Sequence, residues 1–242
     1  MGGQTSTPTP AASADRATWT PSAVASELGA GAAEVWLADL NAVADELGEL
    51  LSPQEHARAA RFANARHGVL WARAHGLLRL LLGSHVGCDP RSLRFTAGAH
   101  GKPALEGEQG DGVSFNLSHS GHLALLAFAS EGAVGVDVEL ARRPTDVLGV
   151  ARRMFGADEA RRLAGLQPPL REREFLRAWV RHEAALKYHG SGLGGADSEP
   201  TDEPPWIVEL DVGPNAAGAL ARAPGELRLW EWRGARSSPG HE

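Results

Sequence analysis

The chain has 242 residues, of which 43% are hydrophobic and 22% charged, so it can bury a substantial core. Its net charge of −6 argues against a general nucleic-acid-binding protein, which usually carries an excess of basic residues. The single cysteine, Cys88, excludes an intrachain disulfide and favours a reducing compartment, the cytoplasm. No apolar run reaches the roughly 18 residues that a membrane-spanning helix needs, so no membrane partner is expected.

The N-terminal segment is rich in Ala, Thr, Ser and Pro and lacks the basic start and apolar centre of a secretory signal. We expect a disordered tail over residues 1–30. Three elements are predicted after it. They are a strand over 34–40, a helix over 52–62 and a longer helix over 66–86. Ser52, Pro53 and Glu55 form a capping-box pattern that marks where the first helix begins.

These two predicted helices carry a run of arginines with no acidic residue among them. The five arginines are Arg58, Arg61, Arg66, Arg73 and Arg79. Helices normally mix both signs of charge, so a basic run on an acidic protein favours a small anionic ligand over a long polyanion. A solvated helix face is the alternative interpretation, and it is the default for most of these arginines taken singly.

Short strands and turns are predicted in the middle of the chain. They are a strand over 94–99, a turn over 98–105, strands over 113–116 and 122–129, and a strand over 132–140. Residues 118–121, Ser-His-Ser-Gly, are predicted to form the turn before the strand over 122–129. Serine hydrolase chemistry is disfavoured, because neighbouring Ser and His side chains diverge on an extended backbone. His119 is interpreted as a donor to an anion, and a plain hairpin turn is the alternative.

The strand over 132–140 alternates valines with a glycine and two acids. Its valines share one face, whereas Gly135, Asp137 and Glu139 share the other. Two carboxylates that close together repel each other unless a cation lies between them, and hard divalent cations prefer oxygen ligands. The pattern therefore indicates a divalent-cation site, with a solvent-facing edge strand as the alternative.

Helices and strands are predicted to alternate in the remainder of the chain. The predictions are helices over 146–164 and 171–189, an acidic loop over 196–205, strands over 206–212 and 226–232, and a disordered tail over 234–242. Glu183 and Lys187 lie four residues apart, so a helix places them on one face, where a surface ion pair is the simplest interpretation. Gly190 is predicted to end that helix. A strand, two helices and further strands occur twice, beginning near Glu34 and Val134.

Several blocks of the chain, taken together and in this order, resemble one family. They are SPQEHARAARF at 52–62, HGKPAL at 100–105, NLSHSGH at 116–122, VGVDVEL at 134–140 and WVRHEAALKYHGSGL at 179–193. They are similar to blocks of the larger, single-chain 4′-phosphopantetheinyl transferases, the type that activates surfactin synthetase. The resemblance covers roughly residues 34–232. It implies an α+β fold of two pseudo-symmetric halves, residues 31–132 and 133–233, with the active site in the cleft between them.

The resemblance implies transfer of the 4′-phosphopantetheine arm of coenzyme A to a serine of an apo acyl or peptidyl carrier protein. Adenosine 3′,5′-bisphosphate would be the other product, and Mg²⁺, with Mn²⁺ as an alternative, the metal. A cytoplasmic monomer serving a fatty-acid, polyketide or peptide synthetase is expected, without nucleic-acid or membrane partners. A degenerate homologue that binds coenzyme A or a carrier without catalysis is the main alternative. A metal-dependent hydrolase of unrelated fold comes third.

The resemblance also assigns roles to individual residues. The metal ligands would be Asp137, Glu139 and Glu183. Glu183 would also be the general base, and Lys187 would hold a pyrophosphate oxygen. The coenzyme A contacts would be Arg58, Arg61, Lys102, Pro103, Ser118, His119, Asp137 and Lys187.

This chain departs from the family pattern in two places. The family usually has a lysine where this chain has His182, which is largely neutral at pH 7 and predicts a weaker contact there. The family also usually has a further apolar strand after the one that matches residues 226–232. Its absence would leave the second sheet with a shorter edge.

Overall fold

The computed structural model describes residues 18–97 apart from 24 and 26, and residues 103–107, 112–141, 146–190 and 204–234. The strands are β1 (Thr20–Ser22), β2 (Ala33–Asp39), β3 (Phe95–Ala97), β4 (Pro103–Leu105), β5 (Ser114–Ser120), β6 (Leu123–Ala129), β7 (Val134–Leu140), β8 (Trp206–Leu210), β9 (Ala216–Arg222) and β10 (Leu227–Trp232). The α-helices are α1 (Pro53–Ala60), α2 (Ala65–Val86), α3 (Val147–Met154), α4 (Ala157–Ala164) and α5 (Pro168–His189). Short 3₁₀ helices lie at Asp45–Leu50 and Pro90–Ser92.

The strands form a five-stranded sheet in the order β1-β10-β2-β6-β5, a three-stranded sheet in the order β7-β9-β8, and a β3-β4 hairpin. Strand β10 lies between β1 and β2 and runs parallel to both, with Trp230 opposite Thr20 on one side and Trp36 on the other. The strand predicted over 226–232 therefore completes the sheet of the first half rather than the sheet of the second.

The two larger sheets pack face to face, and each carries a helix on its outer side. Between the sheets, the valines of β7 pack against Val35 and Leu125. On the outer face of the five-stranded sheet, Trp36 and its neighbours pack against Leu77 and other leucines of α2. On the outer face of the three-stranded sheet, Ala184 of α5 packs against the alanines of β9. The layers are therefore α2, sheet, sheet and α5.

Two predicted helix ends are confirmed, namely the start of α1 and the end of α5. Ser52 Oγ accepts a hydrogen bond from Glu55 N (3.3 Å), and Ser52 N donates to Glu55 Oε2 (2.7 Å), which completes the capping box of α1. Helix α5 begins at Pro168, three residues before the predicted start at residue 171, because a proline ring suits the first helical turn. It ends at Gly190, whose φ of +70° is the left-handed conformation that glycine adopts readily.

The predicted turn over 118–121 is wrong, because Ser118, His119 and Ser120 belong to strand β5. Their backbone continues the antiparallel pairing with β6, with His119 opposite Ala124. The chain reverses at Gly121, where φ is +56°. The alternation of polar and apolar residues in this segment is the period-two pattern of a strand, which favours a strand over the predicted turn.

Two predictions about the second half are also wrong. The helix predicted over 146–164 is broken by Gly156, where φ is +88°, into α3 and α4. Strand β9 was not predicted, since its alanines and glycine have low strand propensity. Because β9 is the central strand of the three-stranded sheet, the expectation of a shorter edge after residues 226–232 does not apply.

Two further predictions need smaller corrections. Strand β1 lies inside the tail predicted over residues 1–30, because its backbone pairs with β10. Strand β4 occupies the end of the turn predicted over 98–105 and pairs with β3. Residues 1–17 and 235–242 lie outside the described residues. The division into halves at residues 132 and 133 stays a prediction.

Candidate active site

The facing edges of β5 and β7 are joined by side chains instead of a backbone ladder. The polar residues at alternate positions of β5 point to β7 and are buried. The bonds run from Val136 N to Asn116 Oδ1 (2.9 Å), from Val138 N to Ser118 Oγ (3.3 Å) and from Leu140 N to Ser120 Oγ (3.2 Å). This polar seam ties the sheet of the first half to the sheet of the second.

The two serines of the polar seam also hold the acids of β7. Ser118 Oγ donates to Asp137 Oδ1 at 2.8 Å, and Ser120 Oγ donates to Glu139 Oε2 at 2.7 Å. A hydroxyl has one proton to donate, so each serine commits its proton to a carboxylate. Ser118 therefore orients Asp137 in this structure, and its assignment as a phosphate contact stays a prediction.

Helix α5 approaches β7 closely because residue 135 is a glycine. A Cβ atom at Gly135 would lie 2.2 Å from Ala184 O and 2.3 Å from Tyr188 N. Asp137 is also opposite Ala219 of β9, whose small side chain lies under the helix. The close approach brings Glu183 and Lys187 of α5 to the face of β7 that carries the acids.

Lys187 forms an ion pair with the strand. Its Nζ lies 2.7 Å from Asp137 Oδ1 and donates to Val136 O at 3.1 Å. The Asp137 side chain is only 6% exposed and that of Lys187 29% exposed, so water screens this pair weakly. Lys187 therefore connects α5 to β7. The predicted surface ion pair with Glu183 on the same helix is not its main contact.

Two carboxylate oxygens beside this ion pair are buried without a hydrogen-bond partner among the described residues. They are Asp137 Oδ2 and Glu183 Oε1. Burial raises the pKa of Glu183, and the charges of Asp137 and Glu139 raise it further, while Lys187 opposes them. The site thus concentrates negative charge on oxygens that no described residue satisfies.

His119 lies on the opposite side of β5, the side that carries α2. Its Nδ1 is buried and has no hydrogen-bond partner in the part of the chain that the structure describes. Burial lowers the pKa of His119, and the nearby charges of Lys187 and His67 lower it further. A neutral imidazole at this position can donate to or accept from a ligand.

The five arginines of the basic run have different surroundings, and Arg66 donates to Asn41 Oδ1 at 3.3 Å. Arg73 and Arg79 have structural partners: Arg73 pairs with Asp45 at 2.8 Å, and the buried Arg79 pairs with Glu55 at 2.8 Å. Arg58 and Arg61 are exposed. The predicted contact Pro103 is the exposed first residue of β4, and Lys102 lies outside the described residues.

Comparison with known proteins assigns the family. The model of the 4′-phosphopantetheinyl transferase superfamily matches residues 133–233, and that of the 4′-phosphopantetheinyl transferase N-terminal domain matches residues 39–131. The 4′-phosphopantetheinyl transferase HetI of Nostoc sp. is 32% identical over 222 residues, which are 85% of this chain and 94% of HetI. The chain belongs to the 4′-phosphopantetheinyl transferase superfamily.

Two further relatives match over shorter stretches. The Synechocystis sp. protein slr0495, assigned provisionally to the same activity, is 34% identical over 146 residues, 60% of this chain and 59% of that protein. The 4′-phosphopantetheinyl transferase Sfp of Bacillus subtilis is 27% identical over 143 residues, 59% of this chain and 62% of Sfp. Together these matches confirm the predicted α+β fold and the predicted enzyme class, a 4′-phosphopantetheinyl transferase. Among the described helices, none is both long and apolar enough to cross a bilayer.

The oxygens of this transferase site suit a hard divalent cation. Asp137 Oδ2 and Glu183 Oε1 are buried, anionic and without partners among the described residues, which is the donor chemistry that Mg²⁺ prefers. The third predicted ligand, Glu139, is held by Ser120 through Oε2. No three His, Cys, Asp or Glu side chains of the described ranges are arranged as a complete metal-binding group. The three-carboxylate set therefore stays a prediction.

Residue 182, where the resemblance predicts a weaker contact, has a packing role. The His182 ring contacts Phe155 at a centroid distance of 5.5 Å, in the aromatic cluster that joins α5 to α3 and α4. Burial lowers its pKa. The residues that sequence reasoning missed are Asn116 and Ser120, although their alternation with Ser118 on one strand face was the signal that could have revealed them.

Proposed function

We propose that this transferase moves the 4′-phosphopantetheine arm of coenzyme A to a serine of an apo carrier protein. The serine oxygen forms a bond to the phosphorus next to the pantetheine arm, and the pyrophosphate bond from that phosphorus breaks. Adenosine 3′,5′-bisphosphate leaves. The observation that carries the proposal is a pair of buried carboxylate oxygens, Asp137 Oδ2 and Glu183 Oε1, beside the ammonium of Lys187. Neither oxygen has a hydrogen-bond partner among the residues that the structure describes.

We further propose that the chain is of the single-chain, surfactin-synthetase-activating type. The matches to both halves within one chain and the similarity to Sfp support this subtype. A monomer is proposed because both sides of the site come from the same chain. A single cysteine, Cys88, supports a cytoplasmic setting.

Glu183 is proposed to accept the proton of the carrier serine. The position of Glu183 supports this role, because its buried Oε1 lies in the charged site with Asp137 and Lys187, where a general base must be within reach of the hydroxyl. Asp137, Glu139 and Glu183 are the residues that would hold Mg²⁺, which when bound supplies positive charge to the phosphates. Ser118 and Ser120 keep Asp137 and Glu139 in place from the neighbouring strand.

The phosphates of coenzyme A are proposed to lie along the basic groups between the two halves. Lys187 would contact a pyrophosphate oxygen, and His119 would donate to another from β5. Arg58 and Arg61 would hold the 3′-phosphate. Pro103, the first residue of β4, and Lys102 would also contribute to coenzyme A binding.

Intact-mass spectrometry tests the reaction directly. The full chain is incubated with coenzyme A, Mg²⁺ and recombinant apo acyl and peptidyl carrier domains. A gain of one phosphopantetheine on a carrier, absent when the carrier serine is replaced by alanine, is expected. Binding of coenzyme A by calorimetry without a gain on any carrier would contradict catalysis and support the alternative of a degenerate binding protein.

A further inference from the structure

Trp71 of α2 lies under Arg58 of α1. The Arg58 guanidinium carbon is 5.3 Å from the centroid of the Trp71 ring, within the range of a cation–π interaction. Trp71 is only 5% exposed, so its ring is a fixed surface, whereas Arg58 itself is exposed. The exposed Arg58 side chain therefore lies over an aromatic ring, the platform of Arg58, whose position is fixed by burial.

His75, one turn further along α2, fixes that platform. Its ring stacks on Trp71 with 3.6 Å between ring centroids and 23° between ring planes. The distance between His75 Nδ1 and Trp71 O is 2.9 Å, a hydrogen bond in which the ring nitrogen donates to the carbonyl. Because burial lowers the pKa of His75 to about 4, the imidazole is neutral at pH 7 and adds no charge beside the arginine.

The backbones beneath these side chains are also in close contact. A Cβ atom at Gly68 would lie 2.4 Å from Ala59 O, so α1 and α2 touch next to Arg58 and one turn before Trp71. This approach sets the position of α1 on α2. The Arg58 and Trp71 side chains therefore start from backbones whose relative position is fixed.

The manner in which Arg58 is held differs from that of its neighbours. Carboxylates pair with Arg73 and with Arg79, and they neutralise both, although Arg79 also lies 5.0 Å over the Phe95 ring. An aromatic ring orients a guanidinium without cancelling its charge, so Arg58 remains available to an anion. Orientation without neutralisation is what an anion-binding arginine requires.

We propose that Trp71, fixed by His75, is a positioning residue that orients Arg58 toward the 3′-phosphate of coenzyme A. The inference rests on the proposed function, because it takes coenzyme A as the ligand. It adds that recognition of the 3′-phosphate depends on a tryptophan that does not touch the ligand. Loss of Trp71 should therefore reduce the affinity for coenzyme A by no more than the part of that affinity that the 3′-phosphate supplies.

The test compares coenzyme A with 3′-dephospho-coenzyme A in the full-length protein. KM and kcat come from transfer to one apo carrier domain, and dissociation constants come from calorimetry with adenosine 3′,5′-bisphosphate and adenosine 5′-monophosphate. Trp71→Leu is expected to raise KM for coenzyme A by about 5-fold, the size of an exposed cation–π interaction, with little change in kcat. With 3′-dephospho-coenzyme A the same substitution should change KM by less than about 2-fold.

Further variants separate positioning from damage to the fold. Trp71→Phe, which keeps an aromatic face, should restore most of the affinity. In an Arg58→Ala background, Trp71→Leu should have no further effect on coenzyme A. Trp206→Leu removes an exposed tryptophan of β8 and should leave both ligands at wild-type values. Circular dichroism and thermal melting establish that each variant is folded.

The inference would be overturned if Trp71→Leu raised KM equally for coenzyme A and for 3′-dephospho-coenzyme A. It would also be overturned if the effects of Arg58→Ala and Trp71→Leu were additive. In both cases the wild-type protein would still transfer phosphopantetheine. A wild-type protein that binds neither nucleotide and modifies no carrier would overturn the proposed function together with it. The two failures are therefore distinguishable from the wild-type measurement alone.

Discussion

Lys187 Nζ lies 2.7 Å from Asp137 Oδ1, so the ammonium of α5 is bonded to the carboxylate in the middle of β7. The same oxygen accepts a hydrogen bond from Ser118 of β5. One aspartate oxygen thus receives donors from both halves of the molecule. The other oxygen of Asp137, Oδ2, is buried and accepts no hydrogen bond from any described residue.

The first prediction concerns this pair. Lys187→Met leaves Asp137 buried without its ammonium partner, so the free energy of unfolding should fall by about 1–3 kcal/mol. The double variant Asp137→Asn/Lys187→Met should lose less than the sum of the two single variants, because the pair is removed as a unit. Urea unfolding at pH 7 measures all four proteins. Strictly additive losses would show that the two side chains do not interact.

The second prediction concerns Glu183. Glu183→Gln should abolish transfer, because the proposed base is lost. The free energy of unfolding should stay unchanged or rise, because the raised pKa of Glu183 means that its charged form is destabilised in the folded protein. Added Mg²⁺ should raise the melting temperature of the wild type and not of this variant. Glu172→Gln, which removes an exposed acid of the same helix, is the matched control. Wild-type turnover in Glu183→Gln would refute the assignment.

The third prediction concerns the approach of α5 to β7. Gly135→Ala places a Cβ atom against backbone atoms of Ala184 and Tyr188, which cannot rotate away as a side chain can. The unfolding free energy should fall by about 1–3 kcal/mol, and transfer should fall with it as Glu183 and Lys187 shift. Gly48→Ala is the control, because a Cβ there meets nothing within 4 Å. Equal stability of the two variants would mean that the helix has room to move.

The fourth prediction concerns pH. The pKa of His75 falls from 6.5 to about 4 on folding, chiefly through burial. The hydrogen bond to Trp71 O and the charge of Glu55 oppose the shift, whereas His119 and Arg58 add to it. Between these values the unfolded chain holds a proton that the folded chain lacks, so stability decreases as pH falls, by at most about 1.4 kcal/mol per pH unit. His75→Gln should flatten the dependence measured by urea unfolding from pH 4.5 to 7. His56→Gln, an exposed histidine of α1, should not.

Local patterns predicted the parts of the site that lie within one element. The period of two on β7 placed Asp137 and Glu139 on one face, and the helical period placed Glu183 and Lys187 on another. The resemblance of these segments to one family predicted that the acids of β7 and the residues of α5 belong to the same site. The capping box of α1 followed from Ser52 and the residues after it.

The remainder depends on contacts between residues far apart in the chain. Ser118 and Ser120 hold the acids of β7 only because the edge of β5 lies next to β7, and no local pattern states which strands are neighbours. The pairing of Lys187 with Asp137 is of the same kind. Strand β9 was missed because its residues become a strand only between β7 and β8.

The position of β10 has a consequence for synthesis of the protein. During translation, β2 and β6 emerge long before β10, so the edge of β2 that β10 later covers has no partner while the second half is being made. An uncovered strand edge is a site of aggregation, and pairing across most of the chain is slow. The sheet of the first half is therefore completed only after β10 has been synthesised, so the two halves of the enzyme reach their final fold together.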